Sequence, residues 1–447
     1  MSEITNTGAT AALQERVLAA VDDARDELVQ AISEAVQIPS VNPRYPGQVY
    51  EDVVGGEGKV SRFVAEIYAE LGAEVDLFAL EPGRANAVGV IRGSGAGRSL
   101  IYNGHVDVVP PGNRENWRHD PFSGLIDEDR VWGRGSTDMK AGVLAQAFAA
   151  RALQRAGIRL QGDLILEAVV GEECMNNDVG VSATVERGYR ADAAVVSEPT
   201  AGRRPLEVMP TSAGQLWFSV RVEGKVTHAA NRGQTLHPDA SGVTPGVSAI
   251  DKGFVIYEGL RRLEQEWAFR KRHPLYRPGQ FTIMPGIVAG GTSGVQFPLF
   301  VPEFMQTEYL VWYPPGDDHE SVIREIESQI ASLAATDSWL RDHPPEVEWR
   351  LHWPANAPPG DAITAAMAAA HEQAAGGTRF AGPARISGFP AVDDASWLTL
   401  AGIPAISYGP GDLAVAHADD EFVRIDEVMC ATRAFALLAM AWCGLRA

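Results

Sequence analysis

The sequence predicts an α/β fold in which a mostly parallel central sheet is interrupted by a smaller α+β domain. Three observations lead to this prediction. Short apolar runs alternate with helical stretches in the first half of the chain, Gly214–Glu223 alternates with period two, and helical and strand patterns return after residue 354. Strands that alternate with helices favour a buried parallel sheet, whereas period-two alternation is typical of a half-buried antiparallel strand. We therefore expect one domain from residues 1–210 and 355–447, with residues 211–354 inserted into it.

The first domain is predicted to begin with an amphipathic helix. Apolar residues recur at helical spacing from Leu13 to Ile38, and Pro39 then ends the pattern. A second helix is expected at residues 59–72, and a third from Ala141 to Arg155. The apolar runs predict strands at Glu74–Phe78, Asn86–Ile91, Ser99–Tyr102, Asp163–Val170 and Ala193–Ser197.

The inserted segment is predicted to combine antiparallel strands with helices, after which the chain completes the first domain. Strands of the insert are expected at Gly214–Glu223, Gln306–Tyr313 and Glu346–Trp353, with helices at Val255–Lys271 and Asp318–Ala334. The closing elements are expected to be a helix at Asp361–Ala375, a strand at Ile403–Tyr408 and a helix at Arg424–Cys443.

Composition excludes several classes of protein. The 447 residues include 38 Lys+Arg and 58 Asp+Glu, a formal net charge of −20 that argues against nucleic-acid binding, because phosphate contacts need a basic surface. A hydrophobic content of 45% excludes an intrinsically disordered chain. Three cysteines are too few for a disulfide framework, so we expect a cytoplasmic location. No secretory pattern opens the chain, and its longest apolar stretch is about half a membrane span, so no membrane partner is expected.

Histidine and acidic side chains follow several of the predicted strands. Asp138 adds a carboxylate in a glycine-rich turn that leads into the helix Ala141–Arg155. Taken singly, each of these residues also fits a structural role, as a strand-end turn, a helix N-cap or a solvated loop. The strand-end residues are His105, Asp107, Glu172, Glu173, Glu198 and His417.

Together these residues form the ligand set of a dinuclear metal site. The carboxyl ends of parallel strands meet at one edge of a sheet, which is where open α/β sheets place their ligands. Two histidines and three or four carboxylates suit two divalent ions, most naturally zinc, with one carboxylate bridging them. A carboxylate such as Asp107 can hold the second ring N–H of His105. A glutamate that does not bind a metal ion would serve as the general base on the metal-bound water.

Five segments in this order resemble the M20 metallopeptidase family of acetylornithine deacetylases, succinyl-diaminopimelate desuccinylases, aminoacylases and carboxypeptidase G. The resemblance covers essentially the whole chain and implies a zinc-aminopeptidase-like catalytic domain interrupted by a lid and dimerisation domain. The segments are GHVDVVPPG (104–112), WGRGSTDMKAG (132–142), GEE (171–173), SEPT (197–200) and AHADDE (416–421).

The resemblance implies roles for the metal ligands. His105 and Glu198 would bind one Zn²⁺. Glu173 and His417 would bind the second Zn²⁺, and Asp138 would bridge the two. Cobalt or manganese can substitute for zinc in such a site.

The resemblance also implies the catalytic roles. Glu172 would be the general base, and Asp107 would orient His105. The peptide bond after Asp138 is expected to be cis. In the insert, GKVTHAA (224–230) matches the lid histidine of the family, so His228 is expected to stabilise the oxyanion from across a homodimer formed through the lid.

Two departures from the family concern the substrate. Relatives that cleave N-acyl amino acids carry an Asn in one lid loop and an Arg one strand later, which grips the α-carboxylate of the substrate. Here the corresponding residues 290–298 contain no Asn and residues 310–314 contain no Arg. Arg232 or Arg385 could take over a carboxylate contact. The segment from about residue 231 to 280 is longer than the lids of the relatives, and its role stays open.

These observations predict a di-zinc amidohydrolase that cleaves an N-acyl C–N bond of a small molecule, as a deacetylase, deformylase or desuccinylase would. Two alternatives remain. The first is a dipeptidase or carboxypeptidase on the same scaffold, and the second is a non-catalytic metal-binding dimer. The sequence does not name the acyl group, the amine or the pathway.

Overall fold

The computed structural model describes residues 2–200, 205–237 and 243–446. The chain divides into two compact units. The first unit comprises residues 1–212, 356–389 and 393–447, and the second comprises residues 213–355 and 390–392. Part of the long insert noted above, residues 238–242, lies outside the described residues.

Helices and strands alternate along much of the chain that the structure describes. In chain order the helices are α1 (Ser2–Asp23), α2 (Arg25–Val36), α3 (Tyr50–Val53), α4 (Gly56–Glu70), α5 (Ala141–Arg155), α6 (Val181–Glu186), α7 (Arg232–Leu236), α8 (Ala249–Arg270), α9 (His319–Thr336), α10 (Ala362–Ala374), α11 (Ala395–Leu400) and α12 (Ile425–Cys443).

The strands, in chain order, are β1 (Glu74–Glu81), β2 (Arg84–Ile91), β3 (Leu100–His105), β4 (Ile126–Asp127), β5 (Arg130–Trp132), β6 (Leu164–Val169), β7 (Ala194–Val196), β8 (Val208–Ser212), β9 (Gly214–Glu223), β10 (Thr227–His228), β11 (Ile283–Gly291), β12 (Phe300–Val301), β13 (Phe304–Tyr313), β14 (Glu346–Trp353), β15 (Ile386–Phe389), β16 (Ala405–Ser407) and β17 (Phe422–Arg424).

An eight-stranded sheet forms the centre of the first unit, in the order β1-β2-β6-β3-β7-β16-β8-β15. The central strands β6, β3, β7 and β16 pair in parallel. Every residue of β3, β6 and β7 is buried, as expected for strands covered by helices on both faces. The α/β class with a largely parallel central sheet is thus confirmed.

Two local features differ from the sequence prediction. The first two strands are antiparallel, because two residues between Glu81 and Arg84 leave room for a hairpin and not for a crossover. The single helix predicted from Leu13 to Ile38 is two helices that meet at Ala24. No Gly or Pro marks that break, so the apolar pattern runs through it.

The closing helix α12 supplies much of the core of the first unit. Most of its side chains are buried on all sides, including Phe435, Leu438 and Cys443. The Tyr102 hydroxyl donates to the backbone carbonyl of Phe435 at 2.5 Å, which ties α12 to the central strand β3.

The second unit is built on a four-stranded antiparallel sheet in the order β11-β13-β9-β14. Along β13 buried and half-buried residues alternate at every position, which is the period-two pattern of a sheet with one covered face. Phe218 and Tyr309 stack in its core, with ring centroids 4.9 Å apart. Strand β11 is an edge of this sheet.

Within residues 2–200, 205–237 and 243–446, no helix combines the length and apolar character that crossing a bilayer requires.

Candidate metal centre

The candidate ligands of the first unit converge because their strands are parallel neighbours. His105 is the last residue of β3 and pairs with Val169, after which β6 runs into the turn Gly171–Glu173. On the other side of β3, strand β7 ends two residues before Glu198. Four polar side chains therefore emerge at one edge of the sheet, as expected for the carboxyl ends of parallel strands.

Asp138 lies between two imidazoles. Its Oδ1 atom is 3.1 Å from Nε2 of His105, and its Oδ2 atom is 3.3 Å from Nε2 of His417. The peptide bond between Asp138 and Met139 is cis, as the family resemblance leads one to expect. Because each oxygen faces a different histidine, the side chain has the arrangement of a bridging ligand.

Each histidine also faces a second carboxylate. Oε1 of Glu198 lies 3.7 Å from Nε2 of His105, and Oε2 of Glu173 lies 3.0 Å from Nε2 of His417. The structure thus brings together two three-residue groups that share Asp138. The metal-binding roles that the family resemblance implies for these residues stay a prediction.

The spacing of these atoms fits divalent ions. Two ligands bound at about 2.0–2.2 Å in a tetrahedral arrangement lie roughly 3.3–3.6 Å apart, close to the 3.0–3.7 Å observed. Potential ligand atoms of His105, Asp138 and Glu173 all lie within 4.8 Å of one another. In addition, Oε1 of Glu173 and Oε1 of Glu198 are buried without a hydrogen-bond partner among the described residues. A cation would satisfy both oxygens.

Burial and mutual contact shift the pKa values of these groups. Burial raises the pKa of the Glu173 and Glu198 carboxyls. Burial opposes the charged imidazolium of His417, but hydrogen bonds to Asp138 and Glu173 outweigh this effect and raise its pKa to about 11. The carboxylates concentrate negative charge around His417, which favours its protonated form.

Glu172 approaches His105 almost as closely as Glu198 does, whereas the contacts of His417 are to Asp138 and Glu173. The Oε2 atom of Glu172 is 3.8 Å from Nε2 of His105. Burial raises the pKa of its carboxyl well above the ordinary value. The preceding Gly171 has φ +94° and lies against the carbonyl oxygen of Asn176, where a Cβ would approach to 2.4 Å. Only glycine fits at this position, where the chain turns from the end of β6 into Glu172 and Glu173.

Asp107 contacts His105 through its backbone and supports the glutamate turn with its side chain. The carbonyl oxygen of Asp107 accepts from Nδ1 of His105 at 2.9 Å, so in the neutral imidazole Nε2 carries the lone pair that a metal ligand needs. The carboxylate of Asp107 accepts the backbone N–H groups of Gly171 at 2.9 Å and Glu173 at 3.1 Å. Asn42 donates to its Oδ2 at 2.8 Å. The side chain therefore holds the turn that carries Glu172 and Glu173.

Sequence reasoning missed two residues near this centre. Asn42, which holds Asp107, stands in an unremarkable Asn-Pro turn and gave no signal. Asp394 is 1% exposed, and neither of its carboxylate oxygens has a hydrogen-bond partner in the part of the chain that the structure describes. Burial raises its pKa to about 8, although the charge of His105 opposes the shift. The pair of adjacent aspartates at positions 393 and 394 was the sequence feature that could have pointed to Asp394.

His228 belongs to the second unit. It ends the short strand β10, and its Nδ1 atom accepts the backbone N–H of Ala230 at 3.1 Å. The side chain is exposed. The two arginines considered for a carboxylate contact are engaged in ion pairs, Arg232 with Asp251 at 2.5 Å and Arg385 with Glu207 at 2.9 Å.

The fold and the strand-end cluster define a metallohydrolase type of α/β protein, and comparison with known sequences assigns its family. The profile described as Peptidase family M20/M25/M40 matches residues 101–441. The chain belongs to this family and is a hydrolase that acts on amide bonds.

Two relatives match over nearly the full length. The chain is 32% identical over 440 residues to an N-formyl-4-amino-5-aminomethyl-2-methylpyrimidine deformylase from Halalkalibacterium halodurans, covering 97% of this chain and 98% of that protein. It is 31% identical over 442 residues to the Bacillus subtilis protein of the same description, covering 95% and 96%.

A solved structure shares the fold. The crystal structure of a Bacillus subtilis protein described as a dinuclear metal binding peptidase from the M20 family has a TM-score of 0.60, with 15% identity over 94% of this chain and 99% of that one. This likeness confirms the fold of the M20 family.

Proposed function

We propose that this protein is a dinuclear-metal amidohydrolase that removes a formyl group from an aminomethylpyrimidine, with Glu172 as general base. One observation carries the proposal. Asp138 faces His105 with one oxygen and His417 with the other, while the Glu172 carboxyl lies 3.8 Å from His105. A carboxylate in that position can take and return a proton without leaving a metal ligand site empty.

The ligand chemistry favours zinc. Imidazole nitrogen and carboxylate oxygen suit Zn²⁺, and Co²⁺ or Mn²⁺ can replace it. His105 and Glu198 would hold one ion, Glu173 and His417 the other, and Asp138 both. When bound, the ions would polarise the amide carbonyl and lower the pKa of a water molecule.

The side chain of Glu172 would transfer the protons during hydrolysis. Glu172 accepts a proton from the attacking water at a carboxylate oxygen, and the C–O bond forms at the carbonyl carbon. Glu172 returns that proton to the amide nitrogen as the C–N bond breaks, so formate and the free amine leave. His228 would donate a hydrogen bond to the carbonyl oxygen as negative charge develops there.

The substrate assignment is supported by the deformylase relatives and by the sequence of the second unit. The substrate in their name carries a formamide on a pyrimidine and no carboxylate. The residues that grip an α-carboxylate in amino-acid-cleaving relatives are replaced at positions 290–298 and 310–314, which suits such a substrate.

We also propose that the second unit is the lid and forms a homodimer. Its edge strand β11 exposes three apolar side chains, Met284 (46%), Ile287 (63%) and Val288 (52%). An apolar edge with unpaired backbone groups is a template for pairing with a second copy. We also propose a cytoplasmic location, because Cys174, Cys430 and Cys443 are all free thiols, as a reducing compartment would keep them.

A substrate panel tests the function. Zinc-loaded protein and chelator-dialysed protein would be incubated with the N-formyl aminomethylpyrimidine, its N-acetyl analogue, an N-succinyl amine and a dipeptide, with release of amine and formate measured. We expect chelator-sensitive release from the formyl compound above all others. Preferential cleavage of the dipeptide would instead establish the peptidase alternative, and metal uptake without any turnover would establish the non-catalytic one.

A further inference from the structure

The turn that carries Asp138 is attached to a single buried carboxylate. Glu421 is fully buried, and its Oε1 atom accepts three backbone N–H groups of the turn. These belong to Gly135 at 2.9 Å, Thr137 at 3.0 Å and Asp138 itself at 3.3 Å. Three amides that converge on one oxygen form an anion-binding nest, here filled by a side chain of the same protein.

The second oxygen of Glu421 is also engaged. Oε2 forms an ion pair with Arg134, whose side chain is 2% exposed. The guanidinium of Arg134 lies 5.2 Å from the centroid of the Trp117 ring. The charge of Glu421 is therefore compensated in a dry environment, and removing it would leave a buried arginine and three buried amides without their acceptor.

Strand pairing brings Glu421 to this position. Phe422, the first residue of β17, pairs with Trp132, the last residue of β5. The backbone carbonyl of Glu421 accepts the N–H of Gly133 at 2.8 Å, and the carbonyl of Phe422 accepts the Thr137 hydroxyl at 2.5 Å. Residues 421 and 422 thus hold the turn from Gly133 to Asp138.

The same short segment also carries a candidate ligand. His417 stands four residues before Glu421, and its backbone has φ +60°, a left-handed conformation that is uncommon for a residue other than glycine. Its Nε2 atom contacts both Asp138 and Glu173. The segment 417–421 therefore contacts Asp138 twice, at its carboxylate through His417 and at its backbone through Glu421.

We propose that Glu421 is a positioning residue for the metal pair, which sets the place of Asp138 relative to both imidazoles before any ion binds. The inference rests on the proposed metal centre. Groups that hold a metal ligand through hydrogen bonds typically change metal affinity by about 10–100-fold when they are replaced. An effect of this size is expected for Glu421, although it touches neither ion nor substrate.

Two substitutions test the proposal. Glu421→Asp keeps the charge but shortens the side chain by one methylene, so it cannot reach the three amides and Arg134 together. Glu421→Gln keeps the length and one acceptor oxygen but loses the charge. The control is Glu207→Gln, because Glu207 is likewise buried and paired with an arginine, Arg385, and accepts from Ser387.

The readouts are the Kd for Zn²⁺ by competition with a chromophoric chelator, the visible spectrum of the Co²⁺ form, and Tm. We expect about 10–100-fold weaker Zn²⁺ binding in Glu421→Asp, a smaller loss in Glu421→Gln, and altered Co²⁺ spectra in both. Glu207→Gln should lower Tm with an unchanged Kd. Folded Glu421 variants with the Kd and Co²⁺ spectrum of the wild type would overturn the proposal.

A measurement on the wild-type protein covers the case in which the variants do not fold. Backbone amides of Gly135, Thr137 and Asp138 should resist hydrogen exchange in the metal-free protein, and rapid exchange there would also overturn the proposal. If the wild-type protein binds neither Zn²⁺ nor Co²⁺, the proposed function fails. If the wild-type protein binds both ions, and the Glu421 variants show the same Zn²⁺ Kd and Co²⁺ spectrum, the positioning role fails but the proposed metal centre stands.

Discussion

The Nε2 atom of His417 lies 3.0 Å from the Oε2 atom of Glu173, although the two residues come from motifs on either side of the inserted second unit. The same nitrogen lies 3.3 Å from Oδ2 of Asp138. A residue contributed by the last part of the chain thus completes a ligand group begun by its first part. Metal binding should therefore require that both sequence segments of the first unit are folded together. Metal content can thus be used to check that the protein is correctly folded.

Glu172→Ala should separate catalysis from metal binding. Glu172 is proposed as the base and not as a metal ligand, so its removal should lower kcat by about 10²–10⁴-fold and leave two ions bound per chain. Metal content by elemental analysis and initial rates on the formyl substrate measure the two effects. The matched variant Glu173→Ala should lose metal as well. Near-normal turnover of Glu172→Ala would contradict the assignment of the base.

His228→Ala should reduce turnover without affecting the metals. Loss of one donor to a developing oxyanion typically costs about 10²–10³-fold in kcat. His228 belongs to the second unit and contacts Ala230, so metal content should stay that of the wild type. His237→Ala, at an exposed histidine of the same region, is the control and should keep its rate. Equal rates in both variants would remove His228 from the mechanism.

Ile287→Lys should dissociate the proposed dimer. The side chain is 63% exposed on the edge strand β11, and a charge there opposes edge-to-edge pairing. Sedimentation velocity should show a monomer, and activity should fall with it if His228 acts across the interface. Leu80→Lys, at a residue 58% exposed on β1 of the first unit, should stay dimeric. A monomeric wild-type protein would refute the dimer outright.

Glu167→Gln should change how stability depends on pH. Glu167 is fully buried on β6, where Asn103 donates to it at 2.9 Å, and burial raises its pKa to about 7 from an ordinary value of 4.5. As pH rises from 4.5 to 7, the unfolded chain loses this proton first, so the folded wild type is progressively destabilised.

The variant should therefore gain about 1–3 kcal/mol in free energy of unfolding relative to wild type between pH 5 and pH 8. Urea unfolding of metal-free protein at several pH values measures the difference. If the free energies of unfolding of wild type and variant changed equally with pH, Glu167 would not titrate between pH 5 and pH 8.

Local sequence patterns were sufficient to predict the bounds of some helices and strands. The pattern predicted α5 from Ala141 to Arg155 and β9 from Gly214 to Glu223 with the bounds observed, because burial of one face imposes a period on the residues themselves. The break at Ala24 carried no such signal, since neither Gly nor Pro stands there and the apolar spacing continues through it.

The sequence by itself determined which chemical groups stand at the strand ends: His105, Glu172, Glu173, Glu198 and, in a later motif, His417. Only the tertiary structure decided how they are held. Asp107 faces the backbone of Gly171 and Glu173, and Glu421 faces the amide of Asp138, 283 residues earlier in the chain. The physical reason is that every residue has the same backbone N–H group, so its hydrogen-bond partner is set by the path of the folded chain. The identity of Asp107 or Glu421 therefore does not predict which distant turn it will contact.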